Sequence, residues 1–247
     1  MSQRDIAVII PARLGSQRLP RKPLRLLAGR PLVEHVWRRV KRCRSVCGVF
    51  VATDSAEIAS AVSEFGGAAV LTSPTCPSGT DRVFEALEKI GAWGAVNVQG
   101  DEAFISPAAV DQVAMRLLEQ GGRSVVTLAR LERDRRRLLS PDVVKVVLDR
   151  DGDALYFSRA PIPFAKGKRA AYYEHVGVYA YTRAVLKKFC AWRPSALEKT
   201  ERLEQLRFLE HGTDIHVMLT RHKGFGIDTP ADLRRAGHFI QRGDRSW

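Results

Sequence analysis

Apolar runs and amphipathic stretches alternate along the first half of the chain. Ile6–Pro11 is a continuous apolar run rich in β-branched residues, which predicts a central parallel strand buried on both faces. After a polar loop, Pro31 begins a segment whose apolar residues share one helical face. The same reasoning predicts strands at Val49–Thr53, Ala68–Thr72 and Ala95–Gln99, and helices from Asp54 or Ser55 to Gly66-Gly67, at Thr80–Ile90 and at Pro107–Gln120.

The alternation changes in the second half. Val143–Leu148 and Ala154–Ser158 flank an Asp151-Gly152 turn, which predicts a β-hairpin. Further elements are predicted at Val176–Thr182 (strand), Arg183–Trp192 and Leu197–Glu210 (helices), Ile215–Thr220 (strand) and from Pro230 onward (helix). We therefore predict one α/β domain over residues 1–247, in which a mixed sheet flanked by helices carries a smaller mixed lobe. No Pro/Gly/Ser-rich linker separates the two parts, so we place no sharp domain boundary and only a soft subdivision near residue 123.

Composition narrows the class of protein. The 247 residues are 45% hydrophobic and 27% charged, which excludes a disordered chain. No apolar run approaches the roughly 18 residues of a membrane span, so we expect no membrane insertion. Cys43, Cys47, Cys76 and Cys190 form no C-x-x-C pair. This spacing supports neither a structural zinc site nor a disulfide scaffold and favours reduced thiols in the cytoplasm.

The net charge of +13 indicates a polyanionic partner, such as nucleic acid, an anionic membrane or a phosphorylated substrate. Residues 1–50 contain 12 basic and 2 acidic side chains, and so hold most of the surplus. One part of this charge lies in the loop after the first strand. The other part lies on or just after the first helix, at Arg38, Arg39, Lys41, Arg42 and Arg44. We interpret this second part as a solvated face or a partner surface.

The loop after the first strand contains no acid and four cations, Arg13, Arg18, Arg21 and Lys22. Arginine binds phosphate oxygens in a bidentate manner, and free N–H groups around Gly15 and Ser16 would add an anion-binding nest. The loop lacks both G-x-x-x-x-G-K-[ST] and G-x-G-x-x-G, so it is neither a P-loop nor a dinucleotide fingerprint. Its place at the carboxyl end of a strand favours a phosphate site, with a solvated basic loop as the alternative.

Two acidic positions follow apolar segments. Asp101 and Glu102 end one strand, and Asp228 precedes Thr229-Pro230 far along the chain. Carboxylate oxygens suit Mg²⁺, which takes one or two protein carboxylates together with phosphate oxygens and water. Each position alone has a structural alternative, as a turn residue or as a helix N-cap. Together with the cationic loop they favour a phosphoryl-transfer site.

Motifs along almost the whole chain resemble those of the 3-deoxy-manno-octulosonate (Kdo) cytidylyltransferases. They lie, in order, at Ile9–Leu24, Val51–Asp54, Ser78–Arg82, Asn97–Glu102, Val144–Leu148, Ala154–Pro163, His175–Tyr181, Leu197–Arg207 and Asp228–Leu233. The resemblance implies a Rossmann-like fold similar to that of nucleotide-diphospho-sugar transferases. It also implies that CTP and Kdo give CMP-Kdo and pyrophosphate for lipopolysaccharide synthesis, by a homodimer in the cytoplasm of a Gram-negative bacterium.

The resemblance also implies roles for individual residues. CTP would contact Arg13, Ser16, Arg18, Lys22, Ser78, Gly79 and Arg82, of which Arg13 and Lys22 act with Asp101 in catalysis. The sugar would contact Gln99, Arg159, His175, Tyr179, Glu204 and Gln205. Asp101 and Asp228 would hold the Mg²⁺ cofactor. Residues 1–123 would then form the CTP-binding part, and residues 124–247 the part for sugar binding and dimerisation.

Some positions depart from the family pattern. Arg21 stands where the family usually has Gly, and Ala103 and Ala196 stand where Pro is usual. The segment 165–173, which borders the expected sugar pocket, is shorter than the family's. An 8-amino Kdo variant, a sialic acid or another 2-keto acid sugar is therefore an alternative substrate. Glu198, Glu201 and Arg207 are interpreted as pairs on a helix surface.

A nucleic-acid-binding protein is the alternative outside the enzymes, because the net charge is strongly positive. The chain shows no helix-turn-helix or RRM signature, and Asp101 and Asp228 would repel a phosphate backbone. We therefore expect CTP and a 2-keto acid sugar as partners, and no nucleic acid.

Overall fold

The computed structural model describes residues 5–16, 18–119, 125–164, 166 and 171–241. Its strands are β1 (Ile6–Ala12), β2 (Leu26–Leu27), β3 (Arg30–Pro31), β4 (Gly48–Thr53), β5 (Ala68–Leu71), β6 (Gly94–Val98), β7 (Val125–Glu132), β8 (Lys145–Leu148), β9 (Ala154–Ser158), β10 (Tyr172–Thr182) and β11 (His216–Leu219). Its helices are α1 (Leu32–Val40), α2 (Ala56–Glu64), α3 (Gly79–Ile90), α4 (Pro107–Glu119), α5 (Arg135–Leu139), α6 (Arg183–Ala191), α7 (Ala196–Glu201), α8 (Leu206–Glu210) and α9 (Pro230–Gln241). None of these helices is both long and apolar enough to cross a bilayer.

One mixed sheet organises the described residues. Its strands follow the order β11-β7-β10-β6-β1-β4-β5, and β8 and β9 extend from β10. Strands β6, β1, β4 and β5 are parallel, whereas β10 is antiparallel to both β6 and β7. β1 thus has β4 on one side and β6 on the other, the switch in strand order at which open α/β sheets form a crevice beyond their carboxyl ends.

The parallel strands are buried on both faces, as the continuous apolar run predicts. Ile6, Val8 and Ile10 of β1 belong to the core shared with α1, α2 and α4. Ala7 and Ile9 point to the opposite face and belong to the core shared with α3 and α6. All five side chains are at most 2% exposed. Helices on both faces therefore hold β1 rigidly below the loop that follows it.

Most predicted elements are confirmed with shifted ends, but β7 was not predicted. The outer half of β7 contains Arg130 and Glu132, and Arg133 follows the strand. The apolar run in the sequence is therefore shorter than the strand itself. Arg130 Nη2 donates to Glu174 Oε1 of the neighbouring β10 at 2.8 Å, which allows a charged residue inside the sheet. The predicted boundary near residue 123, and residues 165 and 167–170 of the shortened segment, lie outside the described residues.

The single helix predicted at Leu197–Glu210 is wrong. The chain breaks at Arg202, whose φ of 54° is left-handed, and separates α7 from α8. The break lets Arg207 face Glu198, with Nε–Oε2 and Nη2–Oε1 distances of 2.7 and 2.5 Å. These side chains are buried, at 5% and 8% exposure, so their interpretation as a surface pair is also wrong. The ion pair instead joins the two short helices.

Candidate active site

A cleft of about 1080 Å³ opens at the carboxyl ends of β1 and β6. Every side chain that the sequence assigned to a site lines it. From the first half these are Arg13, Ser16, Arg18, Lys22, Ser78, Gly79, Arg82, Gln99 and Asp101, and from the second half Arg159, His175, Tyr179, Glu204, Gln205 and Asp228. Residues more than 200 positions apart in sequence therefore face one space, although their individual roles stay predictions.

The loop after β1 brings its cations to this cleft. Leu19 is 3% exposed and anchors the loop on the core, while Arg13 and Arg18 are exposed. Arg21 has a φ of 57°, in the left-handed region that favours glycine. This backbone angle gives a physical reason for the glycine that the family usually has there. The Arg21 guanidinium pairs with Glu57 of α2. Of the adjacent residues Arg21 and Lys22, Lys22 lines the cleft and Arg21 does not.

Lys22 and two acids form the centre of the cleft. Lys22 Nζ donates to Asp101 Oδ2 at 2.6 Å and to Asp228 Oδ1 at 3.0 Å. Arg18 Nη2 lies 3.1 Å from Asp228 Oδ2. The N–H of Ile227 donates to the Asp101 carbonyl at 3.1 Å, which fixes the segment before α9 against the loop after β6. Three distant segments thus converge on one charged cluster.

Burial and opposite charges set the pKa values in this cluster. Burial opposes the Lys22 ammonium, but attraction to Asp101 and Asp228 raises the Lys22 pKa above its ordinary value. Burial raises the pKa of Asp101. Burial also opposes ionisation of Asp228, yet Lys22 and Arg18 hold its pKa below the ordinary value. Burial, with Asp101 and Asp228 nearby, raises the pKa of Glu102 to about 8. Added positive charge would therefore be stabilised here.

Asp101 and Asp228 fit a divalent cation. Their oxygens come from separate segments and already converge within 3.0 Å of one positive atom, Lys22 Nζ. Carboxylate oxygens are the donors that Mg²⁺ prefers. The described residues contain no group of three or more His, Cys, Asp or Glu side chains arranged for a metal. The other ligands of such an ion would be phosphate oxygens and water, as is usual for Mg²⁺.

The first turn of α3 forms one wall. Ser78 is its N-cap, and the Ser78 hydroxyl accepts from the N–H groups of Thr80 and Asp81 at 3.1 and 3.3 Å. The same hydroxyl donates to Asp81 Oδ2 at 2.7 Å. Ser78, Gly79 and Thr80 all line the cleft, so the positive end of the α3 dipole lies beside it.

Arg82 supports this wall from behind. Its side chain is buried, and Nη2 donates to Asp54 Oδ2 at 3.0 Å. Nη1 donates to the Thr72 hydroxyl. These contacts tie the ends of β4 and β5 to α3. The contact of Arg82 with CTP stays a prediction, because its described hydrogen bonds go to protein groups.

β10 supplies aromatic and histidine side chains to the cleft, and the part that they line is called its β10 end. His175 Nε2 lies 3.0 Å from Thr127 Oγ1, and its ring meets Phe157 edge-on at 5.1 Å. Burial lowers the pKa of His175 to about 3, so its imidazole is neutral. Tyr179 stacks on Tyr181 at 5.5 Å, and burial raises its pKa well above the ordinary value. This end therefore offers neutral polar groups and aromatic surface.

Gln99 and Gln205 add amides to the same end. Gln99 directly follows β6, and its Nε2 donates to Asn97 Oδ1 at 3.2 Å. Gln205 directly precedes α8 and is 9% exposed. An amide both donates and accepts hydrogen bonds, as sugar hydroxyls do.

Glu204 connects this end to α3. Thr80 Oγ1 donates to Glu204 Oε2 at 2.8 Å, across 124 positions of sequence. Burial raises the pKa of Glu204, against the hydrogen bonds from Thr80 and Ser78 that favour its ionised form. Thr80 was not among the predicted site residues. Its signal in the sequence is its place directly after Ser78-Gly79 in a motif of the resemblance.

Arg159 is fixed at the rim of the cleft. Its Nε donates to the Glu201 carbonyl and its Nη1 to the Pro141 carbonyl, both at 2.9 Å. The Glu201 carboxylate accepts from the Arg159 N–H at 2.9 Å and from the Ser158 hydroxyl at 2.5 Å. Glu201 is therefore not a free residue on a helix surface, and that interpretation is wrong. It orders the strand end that carries Arg159.

The basic cluster on α1 is partly structural. Arg39 Nε donates to the Ile105 carbonyl at 2.9 Å, in the loop that also carries Asp101. Arg38 pairs with Glu34 at 2.7 Å. The interpretation of this cluster as a solvated face or a partner surface therefore does not hold for Arg39, which anchors the loop between β6 and α4.

Comparison with known proteins extends this geometry. A family profile described as "Cytidylyltransferase" matches residues 7–215. The chain is 52% identical to a 3-deoxy-manno-octulosonate cytidylyltransferase from an Anaeromyxobacter species, covering 98% of this chain and 99% of that protein. It is 46% identical to the protein of the same name from Geobacter sulfurreducens, covering 94% and 97%.

Solved structures agree with the sequence relatives. The structure of CMP:2-keto-3-deoxy-manno-octonic acid synthetase complexed with CTP superposes with a TM-score of 0.93 at 38% identity, covering 97% of this chain and 99% of that chain. A 4-diphosphocytidyl-2C-methyl-D-erythritol synthase from Anaerococcus prevotii, at 17% identity and a TM-score of 0.66, shares the fold over 97% of each chain. The chain belongs to the 3-deoxy-manno-octulosonate cytidylyltransferase family of nucleotidyltransferases.

Proposed function

We propose that this protein transfers the cytidylyl group of CTP to the anomeric hydroxyl of Kdo, releasing pyrophosphate, as a step of lipopolysaccharide synthesis. The observation that carries the proposal is the Lys22–Asp101–Asp228 cluster, which lines the same cleft as Arg13 and Arg18 of the cationic loop and as His175 and Tyr179 of β10. A triphosphate and a sugar acid can meet there, at the charged centre. The names and the CTP complex of its relatives support the same reaction.

The cationic loop would bind the triphosphate. Charge builds on the phosphoryl oxygens and on the leaving pyrophosphate as the α-phosphorus is attacked. Arg13, Arg18 and Lys22 would place three cations where this charge develops, and Ser16 would add a hydroxyl. The N–H of Ser16, expected to be free for an anion, instead donates to the Leu14 carbonyl at 2.9 Å. Preorganised cations stabilise the transition state because they need no reorientation during the reaction.

Asp101 and Asp228 would hold Mg²⁺, with Lys22 moving from the carboxylates to the phosphates. When bound, Mg²⁺ supplies electrostatic stabilisation of phosphoryl oxygens and polarises an attached hydroxyl. His175 is a poor proton acceptor, because burial lowers its pKa to about 3. We therefore assign it to hydrogen bonding with the sugar and not to general base catalysis.

Different residues of the cleft would bind the two substrates. Ser78 and Gly79 would contact the cytosine, with Arg82 holding their segment in place. Gln99, His175, Tyr179, Glu204 and Gln205 would bind the sugar hydroxyls, and Arg159 would pair with the sugar carboxylate. An arginine that is already oriented by carbonyl groups loses little conformational entropy on binding an anion.

The metal assignment is tested by Asp101→Asn. The substitution keeps the shape but removes one of two carboxylates, and we expect kcat to fall by at least about 100-fold at saturating Mg²⁺ and CTP. Pyrophosphate release with CTP and Kdo is the measurement. Asp151→Asn, in the exposed turn between β8 and β9, is the matched control and should leave kcat unchanged. Turnover of Asp101→Asn near that of the unaltered enzyme would sink the metal assignment.

We also infer a cytoplasmic homodimer. CTP is a cytoplasmic nucleotide, and Leu131 and Leu219, on β7 and the edge strand β11, expose 53% and 51% of their surface. Light scattering coupled to size exclusion should give twice the mass of the chain. A panel of Kdo, 8-amino Kdo and sialic acid, scored by pyrophosphate release, should rank Kdo first; a higher kcat/KM for either alternative would change the assigned sugar.

A further inference from the structure

Lys145 is a buried lysine that the proposed reaction does not use. It opens β8, in one of the sequence motifs, and its side chain is 0% exposed. Its Nζ donates to the carbonyls of Ser140 at 3.0 Å, Val143 at 2.6 Å and Arg159 at 2.5 Å. Burial of a lysine is rare because its charge loses hydration. The site is therefore built around this ammonium group.

The three carbonyls require the charged form. An ammonium has three N–H donors, and each finds one acceptor here. A neutral amine has two donors and a lone pair, which would face one of these oxygens and repel it. Because the described hydrogen bonds of Nζ go to neutral carbonyls, no direct ion pair cancels the Lys145 charge.

This charge lies directly behind the rim of the cleft. Val144 and Arg159 both line the cleft, and Lys145 holds the carbonyl of Arg159. Two carboxylates attract this ammonium group. Glu201 accepts from the Arg159 N–H and the Ser158 hydroxyl, and Glu174, which faces Lys145 from β10, is bound by Arg130 and Arg137. Among these groups four cations, Lys145, Arg159, Arg130 and Arg137, accompany two carboxylates, so positive charge is left over here.

We propose that Lys145 is a specificity-determining residue whose buried charge, acting with Arg159, makes the cleft select sugars that carry a carboxylate. The inference deepens the proposed function and rests on it. A buried charge acts through protein of low effective dielectric and is screened little by salt, so it attracts an anion even without touching it. Lys145 also fixes Arg159 in place, but its charge adds a preference for acids that a purely mechanical contact would not supply.

The test compares each variant on Kdo and on the C1 carboxamide of Kdo, which lacks the negative charge. The readout is the ratio of kcat/KM for the acid to kcat/KM for the amide, at saturating CTP. We expect Lys145→Met to lower this ratio about tenfold, which is the effect of a unit charge roughly 12 Å away at an effective dielectric near 20. Lys187→Met, on the exposed face of α6, removes the same charge elsewhere and should leave the ratio unchanged.

A second variant keeps the proposal testable if Lys145→Met does not fold. Glu201→Gln retains an acceptor oxygen but removes the compensating negative charge, so the ratio should rise. A folded Lys145→Met enzyme whose ratio stays within about twofold of the unaltered enzyme would overturn the proposal, as would a lower ratio in Glu201→Gln. If the unaltered enzyme uses neither ligand, the proposed function itself fails, which is a different result from an unchanged ratio.

Discussion

The hydrogen bond from Thr80 to Glu204 joins α3 to the segment before α8, and Thr80→Val removes it with almost no change in side-chain shape. The bond is 2.8 Å long, and Thr80 is 6% exposed. Its acceptor is a carboxylate whose pKa burial already raises. Without the donor, the ionised form of Glu204 loses stabilisation and its pKa should rise further.

The magnitude follows from the charge on the acceptor. A buried hydrogen bond to a charged group contributes about 1.5–3 kcal/mol, which corresponds to a loss of about 10- to 150-fold in kcat/KM for Kdo. We expect a smaller change for CTP, because Ser78 still caps α3 through its own hydroxyl. The acidic limb of the pH profile for Kdo should move to higher pH.

Steady-state pyrophosphate release, with each substrate varied at saturation of the other, measures both effects. Thr80→Ser restores a hydroxyl and should recover most of the activity. Thr200→Val, on the exposed face of α7, is the matched control for loss of a threonine hydroxyl. If Thr80→Val keeps kcat/KM for Kdo within about twofold of the unaltered enzyme, Glu204 does not need this donor and the reasoning fails.

Two further predictions concern stability. Arg207→Met leaves Glu198 buried and unpaired, and should lower the free energy of unfolding by about 3–5 kcal/mol, whereas Arg235→Met at the exposed pair on α9 should cost less than about 1 kcal/mol. Equal losses in urea denaturation would contradict this. Burial lowers the pKa of His175 to about 3, so the unfolded chain gains a proton near pH 6.5 that the folded chain refuses. The contribution of His175 to stability is therefore full above pH 6.5 and should fall by up to about 2 kcal/mol by pH 5. His175→Gln should remove this part of the slope in urea titrations and leave the part due to His222, whose pKa burial lowers to about 4.

The local pattern predicted the parallel half of the sheet well. Ile6–Pro11 and Val49–Thr53 are β-branched runs flanked by polar loops, and both are strands in the structure. Ser55 was one of two suggested caps, and its hydroxyl accepts from the Ile58 N–H at 3.3 Å. Such features depend on neighbours within a few residues, so they are readable from sequence.

Contacts between distant residues could not be predicted in this way. β7 was missed because hydropathy alone does not show that Arg130 finds Glu174 on another strand. The break at Arg202 was missed because no glycine marks it. The candidate site residues came from the motifs of a family resemblance. Thr80 and Lys145 lie in those motifs too, but the roles inferred for them depend on contacts with distant residues.

The place of β10 between β6 and β7 limits how this chain can be divided or recombined. β10 pairs Val178 with Val98 of β6, and Tyr179 with Thr127 of β7, so one strand joins the early and late parts of the sequence. A chain cut before β7 would leave β6 with an unpaired edge, a surface prone to aggregation. Exchanging the second half of the chain between relatives should therefore succeed only if the pairing of β10 with β6 and β7 is kept in register. Substrate range in this fold would then change by side-chain replacement more readily than by transplanting whole segments.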